Sequence, residues 1–186
     1  MALPKVAVVN GSLRKDSFNK KLALAVAKLA AGKLELKLVD LSEVPLYNQD
    51  LEANYPAAVQ RVKDEIAAAD AVLFVTPEHN RSIPAALKNI IDWVSRPYGT
   101  SKWAGKPAAI LGATPGQVGT AVAQDHLRSV LVAQGIALLG RPEVYFIYKD
   151  GVFDADHSVT DPAAKKILEG FVESFTGWVA KLTHTH

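Results

Sequence analysis

Between residues 10 and 19 the chain reads Asn-Gly-Ser-Leu-Arg-Lys-Asp-Ser-Phe-Asn, and it does so between a strand-like apolar run and a helix-like one. A loop that feeds a helix N-terminus presents unpaired backbone N–H groups and the positive end of the helix dipole, so it favours an anion before any side chain contributes. Ser12, Ser17 and Asn19 add neutral donors there, and Arg14 adds a guanidinium able to fork onto phosphate oxygens. The same residues also suit a plain helix start capped by Asp16 or Ser17. What decides between a phosphate cradle and a cap is where the rest of the chain puts this loop.

The elements that must position it follow from two alternating periodicities. Lys5 to Val9 is a short β-branched run, and Leu22, Val26 and Leu29 then recur at helical spacing. After Gly32, Leu34, Leu36 and Leu38 alternate with Glu35, Lys37 and Val39 as a strand near a sheet edge does. A long connection, Ser42 to Tyr55, precedes a helix that starts at Pro56 and buries Val59, Val62 and Ile66. That connection suits either a functional loop or a surface loop packed by Leu46 and Leu51.

Ala71 to Val75 is apolar throughout, as a parallel strand covered on both faces requires. The loop Pro77 to Ser82 follows, and Pro84 opens a helix with Leu87, Ile90, Ile91 and Val94 on one face. Lys88 and Asp92, four apart, make a surface ion pair on it. Ser95 to Trp103 is aromatic enough for a lid or a subunit contact. A strand from Ala108 to Gly112 then turns at Thr114-Pro115-Gly116 into a helix lined by Val122, Leu127, Val130 and Leu131. Ile136 to Leu139 forms the fifth strand, extended beyond Arg141-Pro142 by Val144-Tyr145-Phe146, with Pro142 marking an edge or a bulge. Asp161-Pro162 starts the last helix, whose stripe reads Ile167, Phe171, Phe175, Trp178 and Leu182.

Five strand–helix units in alternation specify an open parallel α/β sheet in the order 2-1-3-4-5, with helices on both faces. Ligands of such sheets bind outside the C-terminal strand ends, at the switch point between the first and third strands. The loops at Gly11 to Asn19, Pro77 to Ser82 and Thr114 to Gly116 follow strands one, three and four, so all three fall on one rim. That convergence favours the cradle over the simple cap. The chain is expected to be a single domain over residues 1–182, with a frayed tail at 183–186 whose two histidines are solvated rather than metal-binding.

Composition narrows the occupant. The 186 residues contain no cysteine, which excludes disulfides, thiolate metal sites and cysteine nucleophiles. A formal charge of +2 with scattered Lys and Arg predicts no nucleic-acid partner. No apolar run approaches the roughly 20 residues of a membrane span, and Met1 to Lys5 lacks the pattern of a secretion signal, so a soluble cytoplasmic protein is expected. Gly11 stands without the companions that a P-loop or a dinucleotide fingerprint needs. A phosphatase of this topology would want a cysteine after the first strand, and a phosphoacceptor domain would want acidic residues where Asn10 and Ser12 stand. Hydroxyl and amide donors with little charge suit a phosphate monoester that stays bound, and flavin mononucleotide (FMN) fits, its ring reaching from the first loop toward the third and fourth.

Asn10 to Asn19 resembles the G-S-x-R-x-x-S-x-N signature of NAD(P)H-dependent FMN reductases of the flavodoxin-like fold, and Thr76 to Trp93 resembles that family's P-E-Y-N-x-S-x-P-x-x-L-K-N-x-I-D-W. Pro45 to Asp50 is similar to the bacterial branch that includes chromate and quinone reductases. The resemblance implies a flavodoxin-like three-layer sandwich with FMN phosphate on Ser12, Arg14, Ser17 and Asn19 and with Phe18 beside it. It also implies that Pro77, Glu78, His79, Asn80, Arg81 and Ser82 run along the isoalloxazine edge, with Thr114, Pro115 and Gly116 closing the other side. His79 departs from the usual Tyr and Ala85 from a frequent Gly, while Arg81 is either near the flavin or nicotinamide phosphate or a plain surface residue.

The implied activity is electron transfer from NADPH or NADH through the flavin to quinones, metal oxyanions such as chromate, or free flavin. No side chain is required as a catalytic acid or base. A homodimer or homotetramer follows from the same resemblance. Two other classes stay open: an FMN-binding electron carrier of the flavodoxin type, which the slightly basic balance disfavours, and a non-redox phosphate-binding module.

Overall fold

A computed structural model describes residues 2–183. Its elements are β1 (Lys5–Asn10), α1 (Phe18–Leu29), β2 (Glu35–Leu38), α2 (Ala57–Ala68), β3 (Ala71–Val75), α3 (Ala85–Val94), β4 (Pro107–Thr114), α4 (Ala121–Ala133), β5 (Ala137–Leu138), β6 (Val144–Ile147) and α5 (Pro162–Thr183). All strand pairings are parallel, in the order β2-β1-β3-β4-β5, as the strand–helix alternation predicts.

Alternation along each strand divides the core in two. Val6, Val8, Leu73, Val75 and Leu111 face Leu22 and Val26 of α1 and Phe171 and Phe175 of α5. Ala7, Val9, Phe74 and Ile110 face the other way, onto Val59 of α2, Leu87 and Trp93 of α3 and Leu127 of α4. Every residue of β3 is buried, as its unbroken apolar run requires, whereas β2 at the edge is half-exposed.

The fifth sheet position differs from the expected continuous strand. β5 pairs with Pro107 and Ala108 of β4, and β6 takes over farther along the same edge, opposite Leu111 to Thr114. Pro142 lies between them and has no N–H to continue a ladder, so one strand becomes two.

α5 starts as its sequence predicts, with Asp161 Oδ1 accepting from Ala164 N at 2.7 Å. Its buried face, however, is Leu168, Phe171, Val172, Phe175 and Val179, while Ile167 is exposed and Trp178 and Leu182 are half-buried. The expected stripe has the right period and is set slightly toward one flank. Trp178 lies at the border because its indole N–H reaches Ala137 O, at 2.8 Å. Thr183 belongs to the helix, its hydroxyl donating to Val179 O at 2.9 Å; the remainder of the expected tail falls outside the described residues.

Two loop expectations also change. Leu46 is 79% exposed, so the 42–55 connection is packed through Val44, Tyr47 and Tyr55 rather than through its leucines. Trp103 is fully buried against Phe74 and donates to Ile91 O at 3.0 Å, which makes it core and leaves Tyr98 as the exposed aromatic of its loop.

Candidate functional site

The rim is built by register. Asn10 pairs with Val75 and Val75 with Leu111, so the chain leaves β1, β3 and β4 at the same end of the sheet. Gly11 continues the ladder through its N–H to Val75 O at 2.9 Å. A Cβ on Gly11 would lie 2.8 Å from Pro84 Cγ, so the first loop crosses tightly over the start of α3. Gly112 is more constrained still, since a Cβ there would lie 2.2 Å from Thr76 O and 2.3 Å from Thr120 Oγ1. The missing Cβ atoms at Gly11 and Gly112 let the ends of β1 and β4 approach the segments after β3 and before α4 this closely.

In the first loop the Asn10 side chain folds back, accepting from Ser12 N at 3.3 Å and donating to Ser12 O at 3.0 Å. This Asx turn leaves the Ser12 hydroxyl without a hydrogen bond among the described residues. Ser17 is the N-cap of α1, its Oγ accepting from Lys20 N at 3.1 Å, so the capping role is real. Capping uses Ser17 as an acceptor and leaves its O–H to donate. The N–H groups of Phe18 and Asn19, at the first turn of α1, have no acceptor among the described residues, and that turn carries no acidic residue. Arg14 is exposed, with one long hydrogen bond to Asp16 O at 3.3 Å.

Asn19, expected on the phosphate, has its side chain bonded to β4. It is 3% exposed, and its amide accepts from Ala113 N at 2.8 Å and donates to Ala113 O at 2.9 Å. The side chain therefore ties α1 to the end of β4 and acts on the rim by positioning.

The second loop holds a hairpin that its residue types do not announce. His79 and Ser82 exchange two backbone hydrogen bonds, both 2.9 Å, around Asn80 and Arg81 with φ of +49° and +63°. Two positive φ angles in a two-residue connection define a hairpin turn of the I′ kind. Asn80 is a usual residue for its first position; Arg81 stands where glycine is favoured, which hides the turn from sequence.

Glu78 secures this hairpin. Its Oε1 pairs with Arg81 Nη1 at 3.1 Å, and its Oε2 accepts from Ala123 N at 3.1 Å, in the first turn of α4. Thr120 supplies no side-chain cap to α4, so a carboxylate from another loop does so. Ser82 Oγ lies 3.1 Å from His126 Nδ1, a second tie to α4. Arg81 thus has its side chain exposed and paired with Glu78. The expected Lys88–Asp92 pair is present at 2.8 Å.

In the third loop Pro115 and Gly116 are exposed, and Thr114 Oγ1 accepts from Gly116 N at 3.3 Å. Thr114 O accepts from Tyr148 N at 2.9 Å, which brings the segment after β6 to the rim. Tyr148 is a site-side residue that no local signal announced. A groove of about 1300 Å³ also runs along β6 and the first half of α5, with Glu143, Asp150, Asp161, Lys149 and Lys166 among its lining residues.

The donor set of the rim fits a phosphate monoester: two hydroxyls free to donate, one exposed guanidinium and two free helix N–H groups. Among the described residues no group of acidic or His side chains could hold a metal, and no helix is long and apolar enough to cross a membrane.

The comparisons with known proteins agree with this geometry. Residues 4–150 match the family model described as NADPH-dependent FMN reductase. A 2-hydroxy-1,4-benzoquinone reductase of Burkholderia sp is 46% identical over 179 residues, covering 96% of this chain and 97% of that protein. An NAD(P)H-dependent FMN reductase of Pseudomonas aeruginosa is 42% identical over 179 residues, covering 96% of each. The solved structure of FerB, a flavoenzyme NAD(P)H:(acceptor) oxidoreductase from Paracoccus denitrificans, superposes with a TM-score of 0.94 at 47% identity, covering 97% of this chain and 99% of that one. The chain belongs to the NADPH-dependent FMN reductase family, oxidoreductases that work with FMN and NAD(P)H, and its sheet is the flavodoxin-like one.

Proposed function

We propose that this protein is an NAD(P)H-dependent quinone reductase that holds FMN on the rim, with the phosphate on Ser12, Arg14, Ser17 and the first-turn N–H groups of α1. The observation that carries the reading is the set of uncommitted donors at that helix start, beside two loops fixed by the Glu78 and Thr114 side chains. The quinone reductase names of relatives such as the Burkholderia protein support quinones as acceptors. Once bound, the flavin supplies hydride acceptance from nicotinamide and electron delivery to the acceptor. The chain's residues bind and orient: Arg14 and Ser12 anchor, while Glu78 and Asn19 fix the loops against α4 and β4.

Pro77 to Ser82 and Thr114 to Gly116 border the ring in this reading, and exposed His79, Pro115 and Gly116 leave space for flat acceptors. Chromate and free flavin are further acceptors on the same grounds, since an open ring face discriminates by potential more than by shape. The working unit is a homodimer or homotetramer, and the compartment is the cytoplasm.

The test is direct. Purified protein is freed of ligand, reconstituted with FMN, and mixed anaerobically with NADPH or NADH, then with benzoquinone, ferricyanide or chromate. A bound yellow chromophore that bleaches with nucleotide and recolours with benzoquinone is the expected result. No bound flavin overturns the cofactor assignment, and bound flavin that neither nucleotide bleaches overturns the reductase assignment in favour of a carrier.

A further inference from the structure

Arg14 of the first loop belongs to a stack of four side chains whose other members have no assigned part in holding the phosphate. The Phe18 ring lies 4.1 Å from that of Tyr148, centroid to centroid, at an interplanar angle of 28°. The Arg14 guanidinium carbon stands 5.3 Å from the Phe18 centroid, and Lys21 Nζ stands 5.7 Å from the Tyr148 centroid. Each ring therefore carries one cation within the range of a cation–π contact. Tyr148 is 7% exposed, its ring lies 6.2 Å from that of Phe153, and its N–H is bonded to Thr114 O. The buried end of the stack is thus rooted in the core and in the third rim loop, and the exposed end is Arg14.

An exposed arginine gives up rotamer freedom when it binds an anion, and a surface that already restrains it reduces that loss. We propose that the Phe18–Tyr148 pair is the positioning device of the anion site, holding Arg14 at the start of α1 so that a phosphorylated flavin is preferred over its dephosphorylated form. Lys21 adds a second cation behind Tyr148. The inference rests on the reading that the first loop holds the FMN phosphate. A purely structural role for the pair makes a different prediction, because loss of packing would weaken every flavin alike.

The experiment compares FMN with riboflavin on the ligand-free protein, by quenching of flavin fluorescence. Arg14→Ala should lower FMN affinity by about 10- to 100-fold, the range for a hydrogen-bonded charge, and leave riboflavin unchanged. Phe18→Leu should lower FMN affinity by about 3- to 10-fold, the range for a cation–π restraint, again sparing riboflavin. In the Arg14→Ala background Phe18→Leu should add almost nothing, and Phe18→Tyr, which keeps the ring, should retain the preference. Tyr148→Leu provides the same comparison from the other ring if Phe18→Leu folds poorly.

Equal losses for FMN and riboflavin, or an undiminished Phe18→Leu effect without Arg14, overturn the positioning role. Wild-type protein that binds FMN no tighter than riboflavin overturns instead the phosphate assignment on which it rests.

Discussion

Two long polar loops leave neighbouring strands at the same end of the sheet, and they spend their polar groups differently. The 42–55 connection after β2 commits its polar groups to α3 and to itself, with the buried Tyr55 hydroxyl left over. Pro45 O accepts from both Asn89 Nδ2 and Trp93 Nε1, each at 2.8 Å, and Tyr47 N donates to Asn89 Oδ1 at 2.7 Å. The Tyr47 hydroxyl donates to Glu52 at 2.6 Å, and the rings of Tyr47 and Tyr55 meet Trp93 edge-on at 5.0 and 5.8 Å. The loop after β1 keeps a free hydroxyl, a nearly free guanidinium and two free N–H groups. Polar composition is common to both, and uncommitted donors gathered at a helix start distinguish the one that can hold an anion.

The sharpest way to break this contrast is to exchange the consequences. Trp93→Ala removes a fully buried ring together with the indole donor that fixes Pro45, and should cost about 3–5 kcal/mol of stability by urea unfolding. Folded Trp93→Ala should still bind FMN much as the wild type does. Arg14→Ala should do the reverse, losing FMN affinity while unfolding stability stays within about 0.5 kcal/mol, as for an exposed residue. If both substitutions moved both quantities, the two loops would form one coupled unit and the distinction would fail.

Asn19→Ala tests a residue that belongs to the first loop by sequence and to the scaffold by structure. It leaves Ala113 N and O unpaired in a buried place, which should cost about 1–3 kcal/mol by thermal unfolding. The ratio of FMN to riboflavin affinity should stay near its wild-type value. A collapse of that ratio with unchanged stability would return Asn19 to the phosphate, as the family signature implies.

These residues also show what sequence can and cannot convey. The strand order, both faces of the sheet and the three rim loops were legible because they follow from periodicity and from Gly and Pro punctuation, which are local signals. The break between β5 and β6 was half-legible, since Pro142 marks it without giving its consequence. Asn19 meets Ala113 across 94 positions and Glu78 meets Ala123 across 45, and no local pattern records such pairings. The 79–82 hairpin was hidden by Arg81 at a position where glycine would have announced the turn. Tyr148 joins the rim through a backbone hydrogen bond and a ring contact, both indifferent to its own neighbours in sequence.

The smallest effect belongs to Lys63, which packs behind the 42–55 connection. It is 5% exposed, its amino group donates to Arg96 O, and it lies 3.9 Å from the centroid of the Tyr55 ring. Burial, aided by Lys102, pushes its pKa below the usual 10.5 against the opposing pull of Glu52 and Asp64. Between that lowered value and 10.5 the unfolded chain binds the proton and the folded chain releases it, so this group's contribution to stability rises with pH. Below the lowered value the full cost of burying the charge is present. Lys63→Met removes the titration, so the stability difference between wild type and variant should shift toward the wild type as pH approaches 10.5, read from urea unfolding across alkaline buffers. Parallel curves would show that the ring and the Arg96 carbonyl already offset the burial of the charge. Either way FMN affinity at neutral pH should be unmoved, since Lys63 serves the 42–55 connection and not the loop after β1.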